Sequence, residues 1–493
     1  MKKRLFMKNG AIMAATALLI RIIAMFSGIY LSDTIGSEGM GLYRLILSVY
    51  FFFASAVSTG FSLTTTRLVT DFLSLGNKAQ AKFAAEKCML IAAAAGMMTG
   101  ILMFLSADYV GIHFLDDTRT VQAMKILSLS LPFMAFSACV RGYFTARRKT
   151  LQGSGEQLLE QVIEIAVFVV IMNVFRPDSL SAACNAAVIG TVSAELLSFF
   201  YALALYVVDV RQLAAKSEHI GGLYRKMMPV ALPVSANSCL RSGLSAIENM
   251  LIPFGLKRCG SNSSDALSQY GTLSGMTMPV LTFPAVLILP FSMLIIPEMA
   301  EANIRKHQKS IGHMTAKMLD FTMLYSIPIT VVFLFFGVPL CSLLYHSENA
   351  GKFLVMLAPV IPLMYLDSVA DGILKGLDKQ TSYLIFNFID SVVRVVLTYL
   401  FVPIYGMIGV VGVIIISELL NTTMSVWKLI SVTKIKMNIL QSMIIPCVCI
   451  LTPCLICRLL PQTGSAVFDV IFKITGCTLI YAVTVSAARK KPF

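Results

Sequence analysis

About fourteen stretches of roughly 20 apolar residues follow one another along this chain, each long enough to cross the hydrocarbon core of a bilayer as a helix. They lie near 10–32, 40–64, 88–106, 124–146, 157–175, 183–208, 229–256 and 268–297. The series continues near 314–336, 352–375, 383–402, 406–427, 439–459 and 466–488. In lipid a lone segment satisfies its own backbone only as a helix. Charged residues make up 13% of the 493 residues, about half the share in a soluble protein, so lipid is the main solvent. The expected fold class is an all-α polytopic membrane protein with about 14 transmembrane helices.

The net charge of +14 raises nucleic acid as a partner. The basic residues, however, form short clusters between apolar runs and no stripe on a polar domain, so no nucleic-acid partner is expected. Lys2, Lys3, Arg4 and Lys8 precede the first span, and the next turn, "SDTIGSEG", is acidic. Arg67, Lys78, Lys82 and Lys87 then alternate with Asp108, Asp116 and Asp117. Arg147, Arg148 and Lys149, the cluster Arg211, Lys216, Arg225 and Lys226, and the loop from Arg305 to Lys317 continue the alternation. Lys375 and Lys379, then Lys428, Lys434 and Lys436, and the tail "ARKK" complete it, with Lys257–Arg258 the one exception. This positive-inside pattern places both termini in the cytoplasm. The start resembles a signal peptide, but its apolar run spans a bilayer, contains Arg21 and lacks a small-x-small cleavage site; it reads as a retained helix.

The chain also repeats itself. "LPFMAFSACVRGYFTA" (131–146) followed by "GEQLLEQVIE" resembles "IPLMYLDSVADGILKG" (361–376) followed by "IFNFIDSVVR", at an offset of about 230 residues without a gap. "SAELLS" around Glu195 echoes "ISELLN" around Glu418. Spans one to six thus correspond to spans seven to twelve, with two appended, giving expected domains 1–210, 211–430 and 431–493. Six is even, so both copies run the same way through the membrane, as in transporters built from parallel repeats.

A charge at the bilayer centre costs about 3 kcal/mol and demands a partner or a wet cavity. Asn387, Asp390 and Arg394 share one helix face, and their counterparts are Gln157, Glu160 and Glu164. The preceding span of each hairpin carries Arg141 in one copy and Asp371, with Asp367, in the other. The expected structural pairs are Arg141–Glu164 and Asp371–Arg394, with signs exchanged between copies. Glu160 and Asp390, with Glu195, Glu248 and Glu418, are candidates for binding a coupling ion, Na+ or H+. Arg21 lies about eleven residues into the first span, near the midplane, and "TALLIRI" aligned with "ANSCLRS" sets Arg241 at the matching place in span seven. Two such arginines form a candidate clamp for a phosphate-bearing substrate, because guanidinium forks bind phosphate oxygens bidentately and stay charged. The competing reading pairs Arg21 with Glu195 and Arg241 with Glu248 or Glu418 to hold the bundle. Arg44 joins the substrate candidates, although snorkelling to the interface also explains it.

Pro279, Pro284, Pro290 and Pro297, with Gly271 and Gly275, make the eighth span irregular, either as a bending gate helix or as a passive kink. "CVCILTPCLIC" has CxxC spacing inside a span without His or acidic ligands, so its cysteines read as packing residues. Walker motifs, metal-ligand clusters and nucleophile constellations are absent, so neither cofactor, nor metal, nor enzymatic activity is expected.

"IGSEGMGLYRLILSVYFFFASAVSTGFSLTTTRLVTDF" (35–72) and "YGTLSGMTMPVLTFPAVLILPFSMLIIPEMAEA" (270–302) resemble the stage V sporulation protein B-like flippases. These belong to the polysaccharide-exporter branch of the multidrug/oligosaccharidyl-lipid/polysaccharide superfamily, which includes lipid II flippases. The resemblance implies two six-helix lobes in a V plus a C-terminal pair. It also implies a bacterial plasma-membrane location and alternating-access transport of an undecaprenyl-pyrophosphate-linked glycan, with membrane lipids around it. Arg21 falls where lipid II flippases carry a first-helix arginine, whereas Val280 stands at their eighth-helix arginine. The alternative is a cation-coupled multidrug exporter of the same fold.

Overall fold

The computed structural model describes residues 2–175, 177, 179–212, 222–435, 444–459 and 466–489. Lys216, Lys436 and the tail residues Lys490 and Lys491 lie outside them. The described elements are helical, as expected of an all-α polytopic membrane protein. By internal contacts the chain divides into Met1–Pro253 (unit 1) and Phe254–Phe493 (unit 2).

Unit 1 begins with α1 (Lys2–Ser74), α2 (Lys78–Tyr109) and α3 (Arg119–Ser128). It continues through α4 (Leu131–Ala146), α5 (Thr150–Phe175) and α6 (Leu180–Gln212) into α7 (Leu223–Arg258), which crosses the division. α1 holds two apolar windows, broken at Gly36, whose φ of 69° and ψ of −177° suit only glycine. α1, α2 and α4 pack against one another, and α5 pairs with α6.

Unit 2 opens with the irregular eighth span. α8 (Ser263–Gly271) runs into a π-helical turn at 272–277, then α9 (Met278–Thr282), a 3-10 turn at 283–287, and α10 (Ile288–Ile304). Proline lacks the N–H that an α-helix needs, and Pro284 opens the 3-10 turn. The Tyr325 hydroxyl donates to the Pro284 carbonyl over 2.8 Å. α11 (Gln308–Tyr345), α12 (Glu348–Leu357) and α13 (Ile361–Gly376) follow, then α14 (Gln380–Thr433), which covers two windows around a break at Gly406 (φ 58°, ψ −136°). α15 (Ile445–Leu459) and α16 (Ala466–Arg489) pair with each other and pack on α11. Cys454, Cys457 and Cys477 are buried in this pair.

Among the described residues, eight helices are long and apolar enough to cross a membrane singly, or nine with α3 and α4, which are bent by 47°. Two of the eight, α1 and α14, each carry two apolar windows.

The repeat is visible in the backbone. Left-handed residues at Gly76, Asp116 and Arg148 recur at Lys306, His346 and Asp378, each 230 positions later. The bonds match as well. Arg147, Arg148 and Lys149 N–H groups donate to the carbonyls of Tyr143, Thr145 and Phe144; Leu377, Asp378 and Lys379 donate to Ile373, Lys375 and Leu374.

Candidate functional site

Unit 1 holds an ionic centre built on Arg141. The next residue, Gly142, lets α4 lie directly on α1: a Cβ there would meet the Ser62 carbonyl, and Thr66 donates to the Gly142 carbonyl over 3.0 Å. Arg141 Nη1 donates to both carboxylate oxygens of Glu156 at 2.9 Å, and Glu160 Oε2 lies 3.8 Å away. Glu156 is 1% exposed, so this pairing is what permits a carboxylate there.

The expected Arg141–Glu164 pair does not form. The turn centres on Arg148; Arg141 lies seven residues before it, Glu156 eight after and Glu164 sixteen after. Glu164 is therefore about 13 Å further along its helix than Arg141 is along α4. Thr191 (2.8 Å), Gln161 (3.2 Å) and Tyr43 (3.4 Å) donate to Glu164 instead. Arg44 is partly buried, its Nε makes no hydrogen bond, and its charge acts on Glu164.

A cavity of about 500 Å³ adjoins this centre, lined by Arg141, Glu160 and Glu195. Ser55, Ser58, Gln157, Gln161 and Ser242 add hydroxyls and amides to its wall. Glu195 is 5% exposed, and its Oε2 is buried without a hydrogen bond. Ile20 and Ser242, the chain neighbours of Arg21 and Arg241, also line the cavity. Arg21 and Arg241 are themselves exposed, Glu248 is partly buried, and all three engage other groups.

Unit 2 holds a second centre on α13 and α14. Arg394 lies 3.3 Å from Asp390, one turn back on its own helix, and donates to Glu418 at 2.7 Å and to Ser417 at 2.8 Å. The Ser417 hydroxyl donates in turn to Asp390. On α13, Asp367 accepts from Asn421 Nδ2 at 2.9 Å, while Asp367 Oδ1 and Asn421 Oδ1 are buried without hydrogen bonds. Asp371, one turn beyond, is partly buried.

Sequence reasoning missed three partners. Glu156 was signalled by its distance from the turn, and Ser417 by its place beside Glu418. Asp209, which receives Arg147, Lys149 and the Tyr143 hydroxyl, had no comparable signal because its partners are 60 or more residues away.

Comparisons place these features among known proteins. The chain is 24% identical over 438 residues to stage V sporulation protein B of Bacillus subtilis (strain 168), covering 86% of this chain and 84% of that one. It is 21% identical over 426 residues to the lipid II flippase MurJ of the same organism, covering 81% and 77%. A solved structure of lipid II flippase MurJ in an inward closed conformation superposes with a TM-score of 0.72 at 14% identity, over 97% of this chain and 98% of that one. An inward-facing multidrug-resistance MATE family transporter of the MOP superfamily gives 0.69 at 14% identity, over 85% and 99%. The MatE family model matches residues 233–400, and the polysaccharide biosynthesis protein model matches residues 6–303. With a flippase-type fold and more than half its length matched, this chain belongs to the polysaccharide biosynthesis protein family.

Proposed function

We propose that this protein is a flippase carrying an undecaprenyl-pyrophosphate-linked glycan across the bacterial plasma membrane by alternating access, with both termini cytoplasmic. The cargo is lipid II or a related cell-wall, spore-cortex or exopolysaccharide precursor. Lobes 1–210 and 211–430 would move against each other, with 431–493 appended. The observation that carries this reading is the unit 1 cavity, whose wall includes the immediate neighbours of both Arg21 and Arg241. In this reading Arg21 and Arg241 turn towards that cavity during the transport cycle, and their permanently charged guanidinium groups grip a diphosphate through two oxygens each. Arg44, about two turns beyond the break at Gly36 in α1, adds positive charge on the Glu164 side.

Transport up a gradient needs an ion as well as a cargo. In unit 2, Asp390 and Glu418 are bound to Arg394, but Asp367 Oδ1 and Asn421 Oδ1 have open lone pairs in a buried place. Hard oxygens of this kind suit Na+, and the carboxylate alone suits H+. Coupling is therefore assigned to the α13–α14 centre, with Glu160, Glu195 and Glu248 left on the cargo side.

The alternative, a cation-coupled multidrug exporter, draws on the excess of carboxylates in the same cavity. The purified protein in liposomes decides between them. Defined lipid-linked glycans should cross, faster with a Na+ or H+ gradient, and Arg21→Ala or Arg241→Ala should each cut the rate by more than about tenfold without loss of insertion. Normal rates in both variants would remove the clamp. Movement of organic cations with no glycan movement would favour the exporter.

A further inference from the structure

The unit 1 cavity has a strongly acidic end. Its one lining arginine, Arg141, is committed to Glu156 through both carboxylate oxygens, so it offers little to an incoming anion. What remains at that end is negative: Glu160, only loosely approached by Arg141 at 3.8 Å, and Glu195, nine-tenths buried with Oε2 lacking any donor. An ionised carboxylate only accepts hydrogen bonds, and a buried one without a donor is costly. A cationic donor entering the cavity would both satisfy that oxygen and remove the cost of ionising it. Size narrows the class. About 500 Å³ exceeds what a bare monovalent ion or one water fills, and lies in the range of small organic ligands. The serine hydroxyls and glutamine amides in the wall match the alternating donors and acceptors of a hydroxylated ring.

We infer that this cavity receives a protonated primary amine on a sugar ring, so that the lipid-linked glycan carries at least one unacetylated amino sugar, its ammonium held by Glu195 and Glu160. This rests on reading the cavity as the cargo site, and it adds the cargo's chemistry: diphosphate towards Arg21 and Arg241, amine towards the carboxylates.

The test is equilibrium binding to the full chain in lipid nanodiscs, using D-glucosamine, N-acetyl-D-glucosamine and D-glucose at matched ionic strength. Glucosamine should bind at least about tenfold tighter than either neutral sugar, a preference that resists equimolar extra Na+. Glu195→Gln and Glu160→Gln should each erase it. The comparison among sugars on the unaltered chain needs no variant, so a misfolded variant does not rescue the idea. Equal or undetectable binding of the three sugars overturns the inference. So does displacement of glucosamine by Na+ at equal concentration, which would mark a bare-cation site. Tetraethylammonium binding as tightly as glucosamine would overturn it too, as an organic-cation site. Farnesyl diphosphate, which has the diphosphate and no amine, is measured alongside; its binding reports on the arginine clamp, so the two readings fail separately.

Discussion

The two units carry the same hairpin and charge it differently. In unit 1 the arginine stands on the first helix, and its main partner, Glu156, sits near the turn, while Glu195 Oε2 is left without a hydrogen bond. In unit 2 the arginine stands on the second helix at the position of Glu164, inside a ring of Asp390, Ser417 and Glu418. One relocated guanidinium thus turns an acidic cavity wall into a hydrogen-bonded ionic knot. Duplicated backbones do not imply duplicated chemistry: the sign and place of a single buried charge decide which carboxylates in each copy stay open to a ligand.

This contrast is breakable by mutation. Arg394→Leu should cost the most, about 3–5 kcal/mol, because it strands two carboxylates in a buried place; folded yield and thermal unfolding in detergent would read it. An unchanged melting temperature would mean that unit 2 is no knot. Arg141→Leu should cost about 3 kcal/mol by the same assay, since Glu156 loses its partner while Glu160, less deeply buried, can relax towards water.

The helix breaks sharpen the comparison next. Gly406→Ala should destabilise by about 2 kcal/mol, more than Gly36→Ala, because both need a backbone region reserved for glycine but only Gly406 also has a neighbour, Cys259 Sγ, 3.3 Å from an added Cβ. The reverse order in melting temperature would assign the strain wrongly. Ser417→Ala should cost about 1 kcal/mol, the value of a hydroxyl bridging Arg394 and Asp390. Glu195→Gln should not lower stability, because Oε2 has no hydrogen bond to lose and the change removes a buried carboxylate, and yet it should slow glycan transport. A large loss of stability there would show that Glu195 is structural.

Much of the architecture could be read in advance. Apolar length reports membrane crossing directly, and the offset of 230 residues between "LPFMAFSACVRGYFTA" and "IPLMYLDSVADGILKG" reappears at three left-handed turns. The charged residues were also visible, since few side chains in apolar runs ionise. Their partners were harder. Helix-face spacing put Asp390 and Arg394 on one face, one turn apart, but the ion pair between them was not foreseen, because Arg394 was expected to pair with Asp371. Between helices it misassigned Arg141 to Glu164, because the answer depends on axial distance from the turn, where Glu156 lies level. Ser417 and Glu418 reach Arg394 only because α14 folds back at Gly406.

By itself, the sequence determined the helical class, the number of apolar windows, the duplication and the identity of the buried charges. Each follows from local rules: hydrophobic length, chain periodicity and the cost of ionised groups in lipid. Tertiary structure alone decided which carboxylate meets which guanidinium, and that Glu195 is left beside a cavity with an open oxygen. Ion pairing falls off over a few ångströms, a scale set by how the helices pack rather than by the order of residues along any one of them.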